Sequence, residues 1–195
     1  MQKPALHPDI PFLGKFHSLA LEVERTYGVP ALATLAQHVL EAGRDNKNRF
    51  FNYFGVKADK RWTGATQDQL TWEWHKDNKQ AGRYGADFIR LEPYQGGFKY
   101  HVRQRFRAYE SPRAAYLDRG KFLRDNPRYR AAFQTKDPAE FCRRIAAAGY
   151  ATDNQYANKL VTMVAQLGKK LPLVPSTKPD APALRPSEGH QQEPV

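Results

Sequence analysis

The chain has 195 residues, a hydrophobic fraction of 41% and a formal net charge of +11 at neutral pH. This length predicts one domain, and no apolar run reaches the roughly 18–20 residues that cross a bilayer, which argues against membrane insertion. The single cysteine, Cys142, excludes an intramolecular disulfide. The basic charge favours a polyanionic partner, either nucleic acid or an anionic wall polymer, without choosing between them.

The first part of the chain has the apolar spacing of two consecutive helices. The first is predicted over residues 11–27 and is followed by Gly28. Pro30 suits the first turn of the second helix, whose apolar side chains form one broad face. Gly43 is expected to end this helix, so Glu41 falls in its last turn.

The middle of the chain changes from a helical to an alternating period. In residues 69–75 the two tryptophans share one face and Glu73 lies on the other. Residues 98–107 alternate apolar with cationic side chains, which is typical of a strand. A third strand is expected around residues 89–91, joined to the last by a glycine-containing turn. The pattern therefore predicts a small antiparallel sheet over about residues 69–109.

Helical signals return after the predicted sheet. Ser111 and Asp137 are each followed by proline, which combines a capping residue with proline at the first helical position. A last helix is predicted from near Asp153 to Gly168.

The end of the chain differs in composition from the rest. Residues 171–195 contain six prolines and no aromatic residue, so they cannot bury enough surface to offset their chain entropy. We therefore predict a flexible tail at 171–195. Residues 1–170 are expected to form an α+β domain, mainly helical, with a small antiparallel β-lobe.

Five short blocks follow one another in an order that resembles a known family. They are Leu35-Ala36-Gln37-His38-Val39-Leu40-Glu41, Asn52-Tyr53-Phe54-Gly55-Val56-Lys57, Phe106-Arg107-Ala108-Tyr109, Asn126-Pro127-Arg128-Tyr129, and Ala148-Gly149-Tyr150-Ala151-Thr152-Asp153 with Tyr156-Ala157. Together they resemble the glucosaminidase domain family, glycoside hydrolase family 73, which includes flagellar peptidoglycan hydrolases and many bacterial autolysins. The resemblance implies a lysozyme-like helical domain and a β-lobe, with a cleft between them that holds the glycan.

The general acid of that family is the Glu that ends the second helix, which matches Glu41. The Ser-Gly-Trp-Gly sequence that normally continues the motif is replaced here by Ala42-Gly43-Arg44-Asp45, so some substrate contacts differ. A glycosidic oxygen leaves only when it is protonated, so the acid must hold its proton near neutral pH. The negative end of the helix dipole and partial burial both raise the pKa of such a carboxyl, whereas Arg44 and Lys47 would lower it if they pointed inward.

The other site residues also follow from the resemblance. Glu73 matches a β-lobe Glu assigned near the role of base or nucleophile; a surface carboxylate paired with arginine, or a nucleophilic N-acetyl group of the substrate, are the alternatives. The phenol of Tyr150 is expected to orient Glu41 or to bond the N-acetyl group. The candidate substrate-binding residues are Asn52, Phe54, Tyr109 and Tyr156, of which Phe54 and Tyr156 also suit a core position.

The predicted function is that of an endo-β-N-acetylglucosaminidase that cleaves the β-1,4 glycan backbone of peptidoglycan and needs neither metal nor cofactor. One alternative is a wall-binding module that has lost catalysis. Another is a nucleic-acid-binding protein, suggested by the basic charge and the cationic strand face within residues 99–107, but no standard nucleic-acid-binding motif accompanies it.

The opening residues lack the apolar stretch of a secretory signal, although the substrate lies outside the cytoplasm. An antibacterial effector injected by type VI secretion into the periplasm of a target cell fits this combination. Such an effector implies a cognate immunity protein that occludes the cleft. A phage-type endolysin and flagellar-type export are the other routes.

Overall fold

A computed structural model of the chain describes residues 7–45, 50–151 and 153–174. Within these ranges a helical domain is interrupted by a three-stranded lobe. The helices are α1 (Asp9–Tyr27), α2 (Ala31–Ala42), α3 (Pro112–Asp125), α4 (Pro138–Ala147) and α5 (Tyr156–Lys170), and the strands are β1 (Thr66–His75), β2 (Phe88–Tyr94) and β3 (Gly97–Arg107). Short 3-10 turns occur at Ala81–Arg83, Gly85–Asp87, Pro127–Gln134 and Leu171–Leu173.

Helix α2 lies at the centre of the helical domain and packs against α1, α4 and α5. Every residue from Ala31 to Val39 except Leu32 is buried, so the helix is covered on most of its sides. A helix that is apolar nearly all round is stable only when its neighbours cover it. Gly43, with φ of +73°, follows its last residue and donates its N–H to the carbonyl of Val39. The predicted end of this helix is therefore correct.

An aromatic cluster surrounds His38 inside this domain. The ring of His38 stacks on Tyr53 at a centroid separation of 4.3 Å, and its Nδ1 lies 2.6 Å from the hydroxyl of Tyr116. Burial, followed by the positive charge of Lys15, lowers the pKa of His38 to about 3. His38 is consequently a neutral core residue.

The sheet has the antiparallel order β1-β3-β2. Its register places Trp72 opposite His101 and Trp74 opposite Lys99, so the tryptophan face of β1 is also the cationic face of β3. The ammonium of Lys99 lies 4.7 Å from the ring centre of Trp72 and 3.8 Å from that of Tyr94. The aromatic and cationic side chains thus share one open face of the lobe.

The opposite face of the sheet contains the lobe's own small core. Tyr100 and Val102 of β3 are both fully buried there, and Glu73 of β1 stands opposite Tyr100 in the register. The alternation in the sequence correctly predicts the two faces of β1 and β3, and the small antiparallel lobe is confirmed.

The last helices begin at the predicted caps. The side chain of Ser111 accepts a hydrogen bond from the backbone of Ala114, and that of Asp137 accepts one from Glu140. Helix α5 continues to Lys170, so the prediction that it ends at Gly168 is wrong. Most of the predicted tail, residues 175–195, lies outside the described residues.

None of the helices in the described ranges is long and apolar enough to span a lipid bilayer.

Candidate active site

Glu41 lies in the last turn of α2 and is open to solvent. Its Oε1 accepts a hydrogen bond of 2.6 Å from the hydroxyl of Tyr156. Partial loss of hydration raises the pKa of Glu41, while the hydrogen bond from Tyr156 and the charge of Arg119 act in the opposite direction and only partly offset it. The net direction is the one that a general acid requires, because a raised pKa keeps the carboxyl protonated closer to neutral pH.

Arg44 is not among the charges that lower the pKa of Glu41. Its guanidinium pairs instead with the buried carboxylate of Asp9 and lies 3.7 Å from the sulfur of Met163. Lys47, the other cation predicted to affect the acid, lies outside the described residues.

Two tyrosines lie near Glu41, and the one that contacts it is Tyr156 rather than Tyr150. The hydroxyl that contacts Glu41 belongs to Tyr156, whereas Tyr150 donates its hydroxyl to the backbone carbonyl of Phe54 at 3.1 Å. The two rings stack with an interplanar angle of 7° and a centroid distance of 5.9 Å. Of the two roles expected for Tyr150, the direct contact with Glu41 is made by Tyr156 instead, and a contact with the N-acetyl group of the substrate stays a prediction.

Two residues that were not predicted as part of the site, Gln37 and Arg119, lie behind Tyr156. Gln37 donates its amide N–H to the hydroxyl of Tyr156 at 3.0 Å, and Arg119 donates to the carbonyl oxygen of the same Gln37 side chain. A signal for Arg119 exists in the sequence. It occupies a buried face of α3 otherwise formed by Ala115, Tyr116, Gly120 and Leu123, where helical spacing calls for an apolar residue.

The remaining candidate substrate-binding residues lie beneath the surface. Asn52 is buried, and its side-chain amide is bonded to the backbone of Val56 and Arg107. Phe54 is only 1% exposed, and Tyr109 is buried with its hydroxyl donating to Asp118 at 2.7 Å. These contacts support the segment under the site, and none of the three directs a free polar group toward a substrate.

Glu73 pairs with a lysine near the base of the lobe. Its Oε1 lies 2.5 Å from the Nζ of Lys57, which directly follows the segment at 52–56 and is bridged to Phe106 of β3. This segment also contains Phe54, the hydrogen-bond partner of Tyr150. Through Lys57, Glu73 is therefore connected to the segment at residues 52–56, which lies next to Tyr150. The chemical role of Glu73 stays a prediction.

A cleft of about 540 Å³ separates the lobe from the start of α5. One wall is aromatic and the other polar, and the residues are Trp72, Trp74, Tyr94 and Gln95 on the lobe and Asp153, Asn154 and Lys159 on the helical domain. Lys159 is one helical turn beyond Tyr156, which contacts Glu41. Aromatic rings facing hydrogen-bonding side chains offer a sugar both a stacking surface and partners for its hydroxyl and amide groups.

A helical domain with a small antiparallel lobe, a cleft between them and a carboxyl of raised pKa at the end of the second helix give the chain the arrangement of a lysozyme-like glycoside hydrolase domain. The family model described as mannosyl-glycoprotein endo-beta-N-acetylglucosaminidase, of the glucosaminidase family, matches residues 17–169. The chain belongs to this family, as its short sequence blocks predict.

Curated relatives include the peptidoglycan hydrolase FlgJ of Escherichia coli strain K12, which is 31% identical over 163 residues, and that of Salmonella typhimurium, which is 32% identical over 163 residues. These alignments cover 80% of this chain but only 46% and 45% of the two relatives. The chain thus spans somewhat less than half the length of the curated relatives it matches.

Solved structures show the same fold. A peptidoglycan hydrolase mutant from Sphingomonas sp. A1 superposes with a TM-score of 0.65 at 28% identity, covering 84% of this chain and 98% of that one. The glycoside hydrolase domain of Salmonella typhimurium FlgJ gives a TM-score of 0.59 at 28% identity, covering 83% and 89% of the two chains.

Proposed function

We propose that this protein hydrolyses the β-1,4 glycan backbone of peptidoglycan as an N-acetylglucosaminidase, with Glu41 as the general acid. The observation that carries the proposal is the carboxyl of Glu41, which has a raised pKa and is hydrogen-bonded by Tyr156, one helical turn before Lys159 of the cleft. Relatives that bear the name of peptidoglycan hydrolase support the choice of substrate.

The chemistry begins with a proton. Glu41 transfers its proton to the glycosidic oxygen as the bond from that oxygen to the anomeric carbon breaks, and positive charge develops on the sugar ring. A water molecule then supplies a hydroxyl to the anomeric carbon, and its remaining proton restores the acid in a later step. The leaving sugar departs as an alcohol, so no external co-reactant is required.

Glu73 is our candidate for the second carboxylate, which either activates the water or stabilises the charged ring. Its ion pair with Lys57, which follows the segment at residues 52–56 near the site, supports this role. Replacement of Glu73 by Gln is expected to lower kcat strongly if this is correct. A small effect, combined with inhibition by a thiazoline analogue of the sugar, would assign the nucleophile to the substrate's N-acetyl group instead.

The test of the whole proposal is digestion of purified peptidoglycan by the wild type and by Glu41→Gln, with the reduced products identified by mass spectrometry. Muropeptides that end in reduced N-acetylglucosamine, absent with a folded variant, are the expected result. Products that end in reduced muramic acid would show that the protein cleaves the other of the two alternating glycosidic bonds. No products from a folded wild-type protein would favour a wall-binding module.

The finer part of the proposal concerns delivery, and it stays a prediction. We infer that the protein is an antibacterial effector injected into the periplasm of a target cell. An immunity protein that fills the cleft would neutralise it there. A phage-type endolysin with the same chemistry is the alternative. Expression directed to the periplasm is expected to lyse cells, whereas cytoplasmic expression of the same chain is expected to be harmless. Equal toxicity in both compartments would argue against a wall target.

A further inference from the structure

Arg119 is a buried cation that the steps above do not use. It has no solvent-exposed surface, and within the described part of the chain no carboxylate is hydrogen-bonded or ion-paired with it. Its guanidinium donates to the hydroxyl of Thr34 at 3.2 Å and to Gln37, and it lies 5.3 Å from the ring centre of Phe54. An arginine keeps its charge in such a place, and an unpaired buried charge is costly to the fold. The neutral partners leave much of that charge uncompensated.

One path of hydrogen bonds leads from Arg119 through Gln37 and Tyr156 to Glu41, and every bond along it has the same direction. Arginine has donors only, so Gln37 must present its carbonyl oxygen to Arg119 and its N–H groups to Tyr156. Tyr156 accepts from Gln37 and therefore uses its own proton to donate to Glu41 at 2.6 Å. Burial and the neighbouring Glu41 raise the pKa of Tyr156 far above its ordinary value, so the phenol remains a donor. Bonds aligned in this way polarise and strengthen one another.

The direction of these bonds distinguishes the two oxygens of Glu41. Because Tyr156 donates to Oε1, that oxygen must act as an acceptor even when the carboxyl is neutral. The carbonyl oxygen of a neutral carboxyl is its stronger acceptor, so this bond favours the acidic proton on Oε2. After the proton has left, the bond from Tyr156 strengthens, since its acceptor has become an anion.

We propose that Arg119 is a positioning residue for the general acid: through Gln37 and Tyr156 it holds the transferable proton on Oε2 of Glu41, and its charge stabilises the carboxylate formed by proton transfer. The inference rests on the proposed role of Glu41. In this proposal the ionised form of Glu41 is the negative charge that balances Arg119, with Gln37 and Tyr156 between the two.

The groups that face this pair come from several elements. Tyr156 of α5 and Tyr150 before it stand next to both Glu41 and Arg119, and Cys142 of α4 faces Arg119. The charge that acts on Glu41 from α3 is Arg119 itself, and it lowers the pKa that burial has raised. Removal of this charge must therefore raise the pKa of Glu41. The alkaline limb of the pH profile of kcat/KM must then move to higher pH, while the maximal rate falls because the product carboxylate is less stabilised.

The experiment is a carbon-13 NMR titration of the Glu41 carboxyl in the full chain, paired with the pH profile of kcat/KM. Arg119→Met is expected to raise the pKa of Glu41 by about one unit. Gln37→Glu is the second variant, because it gives Arg119 a carboxylate partner and so protects the fold. It neutralises the charge and removes the N–H that Tyr156 accepts, so it is expected to raise the pKa of Glu41 as well.

Arg107→Met is the matched control. Arg107 is also a buried arginine, but it pairs with Asp118 at the base of the lobe. Its loss is expected to lower the melting temperature without moving the pKa of Glu41.

An unchanged Glu41 pKa in folded Arg119→Met or Gln37→Glu would overturn the proposed coupling of Arg119 to Glu41. Arg119 would then have only a structural role. That outcome would leave the assignment of Glu41 intact if Glu41→Gln is still inactive. Conversely, an active Glu41→Gln protein would remove the proposed acid whatever the titration shows. Tyr156→Phe extends the test: it is expected to raise the pKa of Glu41, and the effect of Gln37→Glu is expected to be smaller in that background.

Discussion

Glu41 and His38 stand three positions apart on α2, and burial moves their pKa values in opposite directions. It raises the pKa of Glu41 and lowers that of His38 to about 3, because loss of hydration disfavours whichever form carries charge. The same cause thus favours a protonated carboxyl at the exposed end of the helix and a neutral ring in the core. The directions are opposite because the neutral form is the protonated one for a carboxyl and the deprotonated one for an imidazole.

The depressed pKa of His38 predicts a specific acid sensitivity. Below pH 6.5 the unfolded chain binds a proton at this residue and the folded chain does not, so stability is lost as the pH falls from about 6.5 toward about 3. The slope is at most ~1.4 kcal/mol per pH unit. Urea unfolding at several pH values should show this slope in the wild type and a reduced slope in His38→Gln.

His17 is a suitable control because it is more exposed than His38 and its pKa is lowered by burial without a large shift. His17→Gln should change the acid dependence less. An equal acid slope in the wild type and in His38→Gln would show that His38 is protonated in the folded state.

At the level of helices, two glycines inside helices differ in how closely the neighbouring helix approaches. A Cβ atom at Gly120 of α3 would lie 2.7 Å from Tyr27 and 2.8 Å from Val23 of α1. At Gly168 of α5 the nearest neighbour would be Leu32 at 3.6 Å, an ordinary van der Waals contact. The first glycine is therefore required by the packing of α3 on α1, and the second is not.

These distances predict opposite effects for the same substitution. Gly120→Ala is expected to destabilise the fold by about 1–3 kcal/mol, because the methyl group forces α1 and α3 apart. Gly168→Ala is expected to stabilise it by about 0.5–1 kcal/mol through the higher helix propensity of alanine. Thermal unfolding of both variants, with a Tm shift of about 2–4 °C per kcal/mol, checks the pair. Stabilisation by Gly120→Ala would contradict the close contact.

For the molecule as a whole, the cleft between the lobe and the helical domain is bounded on one side by the aromatic side chains of the lobe. The tryptophan face of β1 extends beyond this cleft: Trp74 lines it, whereas Leu70 of the same face is 72% exposed and does not. Substitutions of these two residues can therefore distinguish a role in glycan binding at the cleft from an effect on the lobe in general.

Trp74→Ala is expected to raise KM for soluble glycan strands about tenfold, equivalent to ~1.4 kcal/mol of lost binding, with a smaller change in kcat. The reason is that the ring forms a wall of the cleft, whereas the hydrogen bond to Glu41 comes from Tyr156. Leu70→Ala, on the same face, is the matched control and should leave KM unchanged. Equal effects of both substitutions would assign the loss to the lobe's stability.

The features predicted well from the sequence rest on signals within a few residues. Gly43 ends α2, so the place of Glu41 in the last turn follows from local sequence, and so do the caps at Ser111 and Asp137. The end of α5 was mispredicted because Gly168 lies close to Leu32 without a clash and the packed helix tolerates it. Alternation predicted the faces of β1 and β3, but only the register showed that tryptophans and cations share one face of the sheet.

By itself, then, the sequence determined the family, the mainly helical α+β fold and the location of Glu41, because helix ends, strand alternation and short motifs are properties of neighbouring residues. Only the tertiary structure decided that Tyr156 rather than Tyr150 contacts the acid, and that Arg119 lies behind it. Tyr156 and Glu41 are 115 positions apart, and Arg119 and Gln37 are 82 apart. Hydrogen-bond partners and pKa shifts depend on what the fold brings together and how much water it removes, and neither quantity is encoded in any short stretch of chain.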